Sequence, residues 1–197
     1  HRLEQLYLDN NTLSGYIPTA IFNISSLQYI ALDQNKFSGT IPLTTGNKLS
    51  NLKFLSLEQN HLTGIIPTSI SNASKLVALS LHDNELTGSI PNSLGSLRNL
   101  KLLNLDFNRL SGESSSPELS FLTFLTGCRS LKYLVVGYNP LNGFLPASFS
   151  NHSTSLVYFT VSNCKIEGNI PTGIGNLSSL LHLDFSGNEL VGSIPNS

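Results

Sequence analysis

The sequence predicts an α/β solenoid, a right-handed superhelix of eight coils with a parallel β-sheet on its concave face. The main observation is a repeat whose copies follow one another at intervals of 24, 25, 24, 24, 31, 25 and 24 residues. A fixed period of this length is typical of arrays in which each coil buries its apolar side against its neighbours. A single array over residues 1–197 is expected, with copies beginning at Leu3, Leu27, Leu52, Leu76, Leu100, Leu131, Leu156 and Leu180.

The first half of each copy alternates apolar and polar residues, as in Leu79-Ser80-Leu81. A period of two predicts a short strand whose leucines point into the core. Eight such strands about 4.8 Å apart give a parallel sheet roughly 34 Å across. A buried asparagine is expected after each strand, with its amide bonded to the backbone of neighbouring coils, at Asn11, Asn35, Asn60, Asn84, Asn108, Asn139 and Asn188. Cys164 takes this position in the seventh copy, where the contact is expected to be weaker.

The second half of each copy contains a Leu-x-Gly-x-Ile-Pro segment, as in residues 86–91. The glycine permits a tight backbone path, the isoleucine points into the core and the proline ends the strand. These features predict a second short strand near each glycine. The chain is then expected to return along the convex side in helical or 3₁₀ turns.

The fifth copy, residues 100–130, is seven residues longer than its neighbours and lacks the Ile-Pro pair. Ser116 as N-cap and Pro117 as first helical residue predict a helix that ends near Gly127. The insertion is either a ligand-binding element or a convex helix that packs on the core in place of the second strand. Its apolar content favours the convex helix.

Cys128 and Cys164 are expected to remain buried free thiols. Cys164 follows a concave strand, whereas Cys128 lies on the returning stretch. This places their Cα atoms beyond the separation of about 7 Å that a disulfide can bridge.

The composition argues against several classes of function. Only 12% of the residues are charged and the formal net charge is −1, so nucleic acid is not an expected partner. No catalytic motif is present, and the five histidines lack metal-ligand spacing, so neither enzymatic activity nor a cofactor is expected. No apolar run reaches the approximately 20 residues that span a bilayer, so membrane attachment would require a segment outside this sequence.

The side chains that point outward from the concave strands form two candidate binding rows. One row is acidic, with Asp9, Asp33, Glu58 and Asp106, and His82 interrupts it in the fourth copy. The other row is apolar and largely aromatic, and Phe107 and Tyr138 lie nearby; its members are Tyr29, Phe54, Leu102, Tyr133 and Tyr158. Exposed aromatic residues on a rigid sheet are common anchors of interfaces, so a basic, partly apolar peptide would complement both rows. Such residues are also ordinary on the strands of repeats of this kind.

The full repeat, LxxLxxLxLxxNxLxGxIP, resembles the plant-specific class of leucine-rich repeats. The segments Glu118–Cys128, Asn139–Gly143 and Ile174–Leu180 add a more specific resemblance. Together they resemble the ectodomains of plant receptor-like serine/threonine kinases, in the subfamily that contains the flagellin and elongation-factor immune receptors.

This resemblance implies a secreted ectodomain at the plasma membrane, followed by a membrane span and a kinase that this sequence lacks. It also implies a peptide or protein ligand on the concave or lateral face, and a shorter leucine-rich-repeat co-receptor kinase as partner. The paired-cysteine caps of the family are missing, so the chain is expected to be an uncapped piece of a longer array. One alternative is a secreted enzyme inhibitor similar to polygalacturonase-inhibiting proteins. Another is that this piece is scaffold only and other repeats bind the ligand.

Five glycosylation sequons are present, at Asn10, Asn23, Asn72, Asn151 and Asn176. Because Asn, Ser and Thr are abundant, this number alone does not indicate secretion. In a secreted chain, the last four are expected on the returning side, away from the concave face. Asn10 follows a strand and its glycan would crowd a ligand.

Overall fold

A computed structural model describes residues 2–113, 116–151 and 155–196, without the side chains of Ser150 and Asn151. The predicted solenoid is confirmed, and every copy of the repeat contributes to one continuous apolar core. The described ranges contain sixteen strands, numbered β1–β16 in chain order, and one α-helix, α1.

The eight-stranded parallel sheet takes one strand from each copy, in sequence order. The central residue of each strand points inward, and in the interior of the array it is a fully buried leucine, isoleucine or phenylalanine. The outward side of this eight-stranded sheet is called the concave face below. The strands are β1 Gln5–Tyr7, β3 Tyr29–Ala31, β5 Phe54–Ser56, β7 Ala78–Ser80, β9 Leu102–Asn104, β11 Tyr133–Val135, β13 Tyr158–Thr160 and β15 His182–Asp184.

The second strands predicted near the glycines are also present, in two parallel sheets. Gly64 and Gly88 have φ of 76° and 74°, a left-handed conformation that strains other residues. One sheet contains β2 Ser14–Tyr16, β4 Lys36–Thr40, β6 His61–Ile65, β8 Glu85–Ser89 and β10 Arg109–Ser111. The other contains β12 Gly143–Phe144, β14 Ile166–Asn169 and β16 Glu189–Val191.

The return stretches form 3₁₀ helices on the side opposite the concave face, as predicted. Extended prolines with φ near −64°, such as Pro67 and Pro91, precede the helices and end the strand path. The 3₁₀ helices are Ile21–Asn23, Thr68–Asn72, Asn92–Ser96, Ala147–Asn151 and Thr172–Asn176.

The buried asparagines form a ladder that joins each coil to the preceding one. The Asn84 Nδ2 group approaches the carbonyl oxygens of Leu57, Leu81 and His82 at 3.0–3.2 Å. Its Oδ1 accepts a hydrogen bond from the Leu62 backbone N–H at 2.9 Å. Equivalent contacts are made by Asn35, Asn60, Asn108 and Asn139, and by the half-buried Asn188. The expectation was wrong for Asn11, which is exposed and whose side chain contacts, among the described residues, only the Leu8 and Asp9 carbonyls of its own coil.

Cys164 replaces only part of this contact. Its thiol approaches the carbonyl oxygens of Val136 and Ser162 at 3.3 Å but offers no amide oxygen. The Leu141 N–H, which would donate to that oxygen, donates to the Asn139 carbonyl instead.

Both cysteines are buried free thiols, as predicted. Burial raises the pKa of Cys128 to about 11 and that of Cys164 to about 12, so both are protonated at neutral pH.

The long fifth copy differs from its prediction in two respects. Its helix α1 spans Ser120–Leu125 and does not begin at Pro117. The Ser116 Oγ instead accepts a hydrogen bond from the Glu118 N–H, and the Pro117 carbonyl accepts one from the Phe144 N–H. Residues 116–118 are therefore held in a turn and an extended path beside β12, which delays the helix.

The expectation that the helix replaces the second strand was also wrong, because β10 is retained. The insertion instead separates β10 from β12 and thereby divides the second sheet. The convex position of α1 is confirmed: Phe121, Leu122 and Leu125 are buried in the core. Its backbone lies so close to Gly95 of the preceding 3₁₀ helix that a side chain there would meet the Phe124 carbonyl.

Replacing Asn84 with alanine is expected to lower the free energy of unfolding by about 2–4 kcal/mol, because the Leu62 N–H and several buried carbonyls lose their partner. The matched control is Asn99→Ala, which removes one exposed contact to the Ser74 carbonyl. Urea denaturation of the two variants and the parent measures the difference. Equal midpoints for both variants would show that the ladder is not a major source of stability.

Candidate ligand-binding face

The apolar and aromatic side chains predicted on the concave face form one line across the array. Strand register places Tyr29 opposite Phe54, and Leu102 opposite Tyr133, which lies opposite Tyr158. Ala78 lies between Phe54 and Leu102, where it interrupts the line. The name aromatic row is used below for Tyr29, Phe54, Leu102, Tyr133 and Tyr158.

Rings of this row pack against one another across neighbouring strands. The ring centroids of Tyr29 and Phe54 lie 4.8 Å apart and nearly parallel, and those of Tyr133 and Tyr158 lie 6.5 Å apart. His182 extends the row, because its ring stacks on Tyr158 at 4.1 Å. The prediction did not include His182 as a site residue; its outward position on β15 was the available signal. Phe54 and Tyr133 keep 37% and 43% of their surface exposed, so the row offers apolar area to a ligand.

The acidic row lies beside the aromatic row, at the position that follows each concave strand by two residues. Within it, His82 Nε2 lies 3.2 Å from Glu58 Oε2, and the Ser80 Oγ donates a hydrogen bond to the same oxygen. The hydrogen bond to His82 lowers the pKa of Glu58, and the hydrogen bond to Glu58 raises the pKa of His82. His82 therefore does more than interrupt the row, because when protonated it neutralises Glu58.

Asp106 is a half-buried member of the acidic row. Among the described residues no partner hydrogen-bonds its Oδ1 atom, which is buried. Gly137 lies against this oxygen, so that a Cβ atom at position 137 would be 3.1 Å from it. Burial raises the pKa of Asp106, which means that the ionised carboxylate lacks the stabilisation that water would give it.

Phe107 and Tyr138 form a stacked pair at the next position along the chain. Their ring centroids lie 4.2 Å apart and their planes differ by 10°. Both residues have left-handed backbones, with φ of 51° and 50°, yet about half of each side chain is exposed, at 50% and 47%. The repeat imposes this backbone, since Gln34, Gln59 and Asp83 share it. The sequence placed both aromatics near the rows but did not predict that they stack.

The described sequons lie where the sequence placed them. Asn23, Asn72 and Asn176 are exposed at the ends of 3₁₀ helices, away from the concave face, and Asn10 is exposed just after β1. The Asn151 side chain lies outside the described residues.

Family comparisons agree with the repeat geometry. Two family models of the leucine rich repeat match the chain, one over residues 40–110 and the other over residues 2–24, 130–152, 155–177 and 179–197. The chain belongs to the leucine-rich-repeat family. Its resemblance to plant receptor-like kinase ectodomains is confirmed by relatives and by solved structures.

Among the relatives is the LRR receptor-like serine/threonine-protein kinase EFR of Arabidopsis thaliana. It is 46% identical over 74 residues, which are 38% of this chain and 7% of that protein. The chain thus aligns with only a small part of the length of this relative.

Solved ectodomains match almost the whole chain. The Arabidopsis receptor kinase HAESA, in complex with an extended IDA peptide hormone, is 32% identical with a TM-score of 0.88 over 99% of this chain and 32% of its own. HAESA with IDA and the co-receptor SERK1 gives 30% identity and a TM-score of 0.85 over 98% of this chain and 31% of its own.

In the part of the chain that the structure describes, no three or more His, Cys, Asp or Glu side chains are grouped so that they could hold a metal ion. No helix in the described ranges has the length and apolar character needed to cross a membrane.

The Glu58–His82 pair is expected to stabilise the fold most between about pH 4.5 and 6.5, where the carboxylate is ionised and the imidazole protonated in both folded and unfolded chains. The pKa of His82 is raised in the folded chain, so the stabilisation by the pair is lost as the pH rises through the folded pKa of His82. The pKa of Glu58 is lowered in the folded chain, so the stabilisation is also lost as the pH falls through the folded pKa of Glu58.

Urea denaturation of the parent and of His82→Gln tests this expectation at about pH 5.5 and about pH 8.5. The difference in unfolding free energy is expected to be of the order of 0.5 kcal/mol at the lower pH and smaller at the higher pH. His61→Gln removes an exposed imidazole and serves as control. A larger effect of His82→Gln at the higher pH would contradict the pairing.

Proposed function

We propose that the chain is part of an extracellular recognition module of a plant receptor-like serine/threonine kinase, and that its concave face binds a peptide or protein ligand in immune or developmental signalling. The observation that carries this proposal is the aromatic row on a rigid sheet. Support also comes from HAESA, a similar plant receptor kinase ectodomain that was solved with a peptide hormone.

The dimensions of the face favour an extended segment. The eight-stranded sheet is roughly 34 Å across, which an extended peptide covers in about ten residues at 3.4 Å each. The aromatic row runs along this direction, so the side chains on the receptor-facing side of such a peptide, about 6.8 Å apart, would lie over the row.

The fixed shape of the face also favours tight binding. Rings of the row pack against one another across neighbouring strands in the absence of a ligand, and the strands are held by the asparagine ladder. Little conformational entropy is therefore lost on the receptor side when a ligand binds, and aromatic anchors on a preformed surface contribute most of the affinity in many interfaces.

A second partner, a shorter leucine-rich-repeat co-receptor kinase, forms part of this proposal. HAESA supports it, because that ectodomain was solved with both a peptide hormone and a co-receptor. On this chain the lateral face, formed by the second strands, offers the exposed side chains of Tyr16 and Ile65.

Replacing Tyr133, Tyr138 and Tyr158 together with alanine is expected to weaken ligand binding at least about 100-fold, since each removes an exposed ring from the face. Peptides selected from a random display library on the immobilised chain serve as probes, and their affinities are measured by biolayer interferometry. Thermal unfolding should change little, because these side chains lie outside the core.

The matched control removes three exposed aromatics that lie off the concave face, Tyr16, Phe124 and Phe144. This variant should keep the parent affinity. Selected peptides that bind the concave variant as tightly as the parent would show that the ligand does not use this face.

Expression in a plant secretory system is expected to attach glycans at Asn23, Asn72 and Asn176, because these exposed sequons lie on the side opposite the concave face. Intact mass before and after enzymatic deglycosylation, followed by peptide mapping, measures the occupancy. Glycans at Asn10 with none at these three sites would contradict a ligand-binding concave face.

A further inference from the structure

We infer that the concave face holds an anchor for one basic side chain of the bound peptide, at Asp106 and the Phe107–Tyr138 pair. An arginine suits this position better than a lysine. The inference rests on the proposed function, because it assumes that a peptide lies on this face.

The first support is the charge of the face. Four outward positions per copy make up the surface: the first and third strand residues, and the second and third residues beyond the strand. Across all eight copies these described positions contain no lysine or arginine. They carry six carboxylates, those of Asp9, Asp33, Glu58, Asp83, Asp106 and Asp184. Lys53, Lys101 and Lys132 lie just before their strands, at the edge of the sheet. The surface therefore complements a cationic ligand and repels an acidic one.

The second support is that burial leaves the charge of Asp106 incompletely compensated. The Glu58 carboxylate already receives hydrogen bonds from His82 and Ser80. Asp184 accepts one from the Ser186 N–H at 2.9 Å. By contrast, burial removes water from Asp106, and its Oδ1 has no partner at regular hydrogen-bond geometry among the described residues. The nearby Gly137 backbone and the charge of His82 offset this loss only in part, because the pKa of Asp106 is still raised by burial. A cation brought close to this carboxylate would supply the rest of the compensation.

The third support is the aromatic pair beside this carboxylate. At the position after the acidic row, other copies carry polar residues such as Gln34 and Gln59, whereas here two half-exposed rings stack. Aromatic faces attract cations, and a planar guanidinium can stack on a ring while donating to a carboxylate. The combination of a ring platform and a partly desolvated carboxylate thus favours arginine.

The test compares three forms of the chain with the same random peptide display library. The forms are the parent, Asp106→Asn and the control Glu167→Gln, which removes one exposed carboxylate from β14, off the concave face. Selected peptides are sequenced, and synthetic versions in which the enriched basic residue is changed to glutamine are measured by biolayer interferometry. Urea denaturation confirms that both variants are folded.

The expected result is enrichment of arginine, and to a lesser degree lysine, at one peptide position on the parent and on Glu167→Gln. Changing that residue to glutamine should weaken binding to both by about tenfold or more, and should have little effect on binding to Asp106→Asn. Binding to Asp106→Asn should still depend on the aromatic row.

Two outcomes would overturn the inference while leaving the proposed function intact. One is selection of peptides that need the aromatic row but show no basic preference. The other is a basic preference that Asp106→Asn retains, or that Glu167→Gln loses to the same extent, since the latter would indicate an effect of the overall charge of the chain. Failure to select any peptide that depends on the concave face would overturn the proposed function, and the anchor with it.

Discussion

The stacking of coils in register is the constraint on which the rest of the structure depends, and the asparagine ladder fixes it. The amide nitrogen of each ladder asparagine contacts carbonyls of its own coil and of the preceding coil, as in Asn84. The amide oxygen accepts a hydrogen bond from a backbone N–H near the start of the second strand in the preceding coil, and for Asn84 this donor is Leu62. A slip of one residue would leave all of these buried groups unpaired. The fixed register is what places outward side chains of successive coils in straight rows.

The array departs from its regular repeat around the fifth to seventh copies. The insertion divides the second sheet between β10 and β12, Pro140 has no N–H to donate, and Cys164 replaces a ladder asparagine. Extra left-handed residues, Asn142 and Lys165, follow these changes. The same region carries the Phe107–Tyr138 pair, the half-buried Asp106 and the aromatics of β11 and β13. The regular copies thus mainly support the fold, and many of the distinctive surface residues lie where the repeat varies.

The sequence predicted the coils, both strand types, the convex returns and the membership of the outward rows, because each follows from a local period. It did not predict what depends on contacts between copies. The predicted start of the helix was wrong because the Pro117 carbonyl accepts a hydrogen bond from the N–H of Phe144, a residue 27 positions further along the chain. The Glu58–His82 pair and the Phe107–Tyr138 stack depend on side-chain directions at and around left-handed residues, which alternation alone does not specify.

Separation of inward and outward positions explains how this fold tolerates change at its surface. The leucines, glycines and ladder asparagines determine the backbone geometry, and they make up most of the residues that each copy needs in order to fold. The ectodomain of HAESA matches this chain with a TM-score of 0.88 at only 32% identity, as expected if the inward set defines the backbone. Outward residues such as Tyr133 and Asp106 contribute little to the core and are free to vary. Under the proposed function, ligand specificity therefore resides in a small set of outward side chains, whose positions the repeat fixes whatever their residue types.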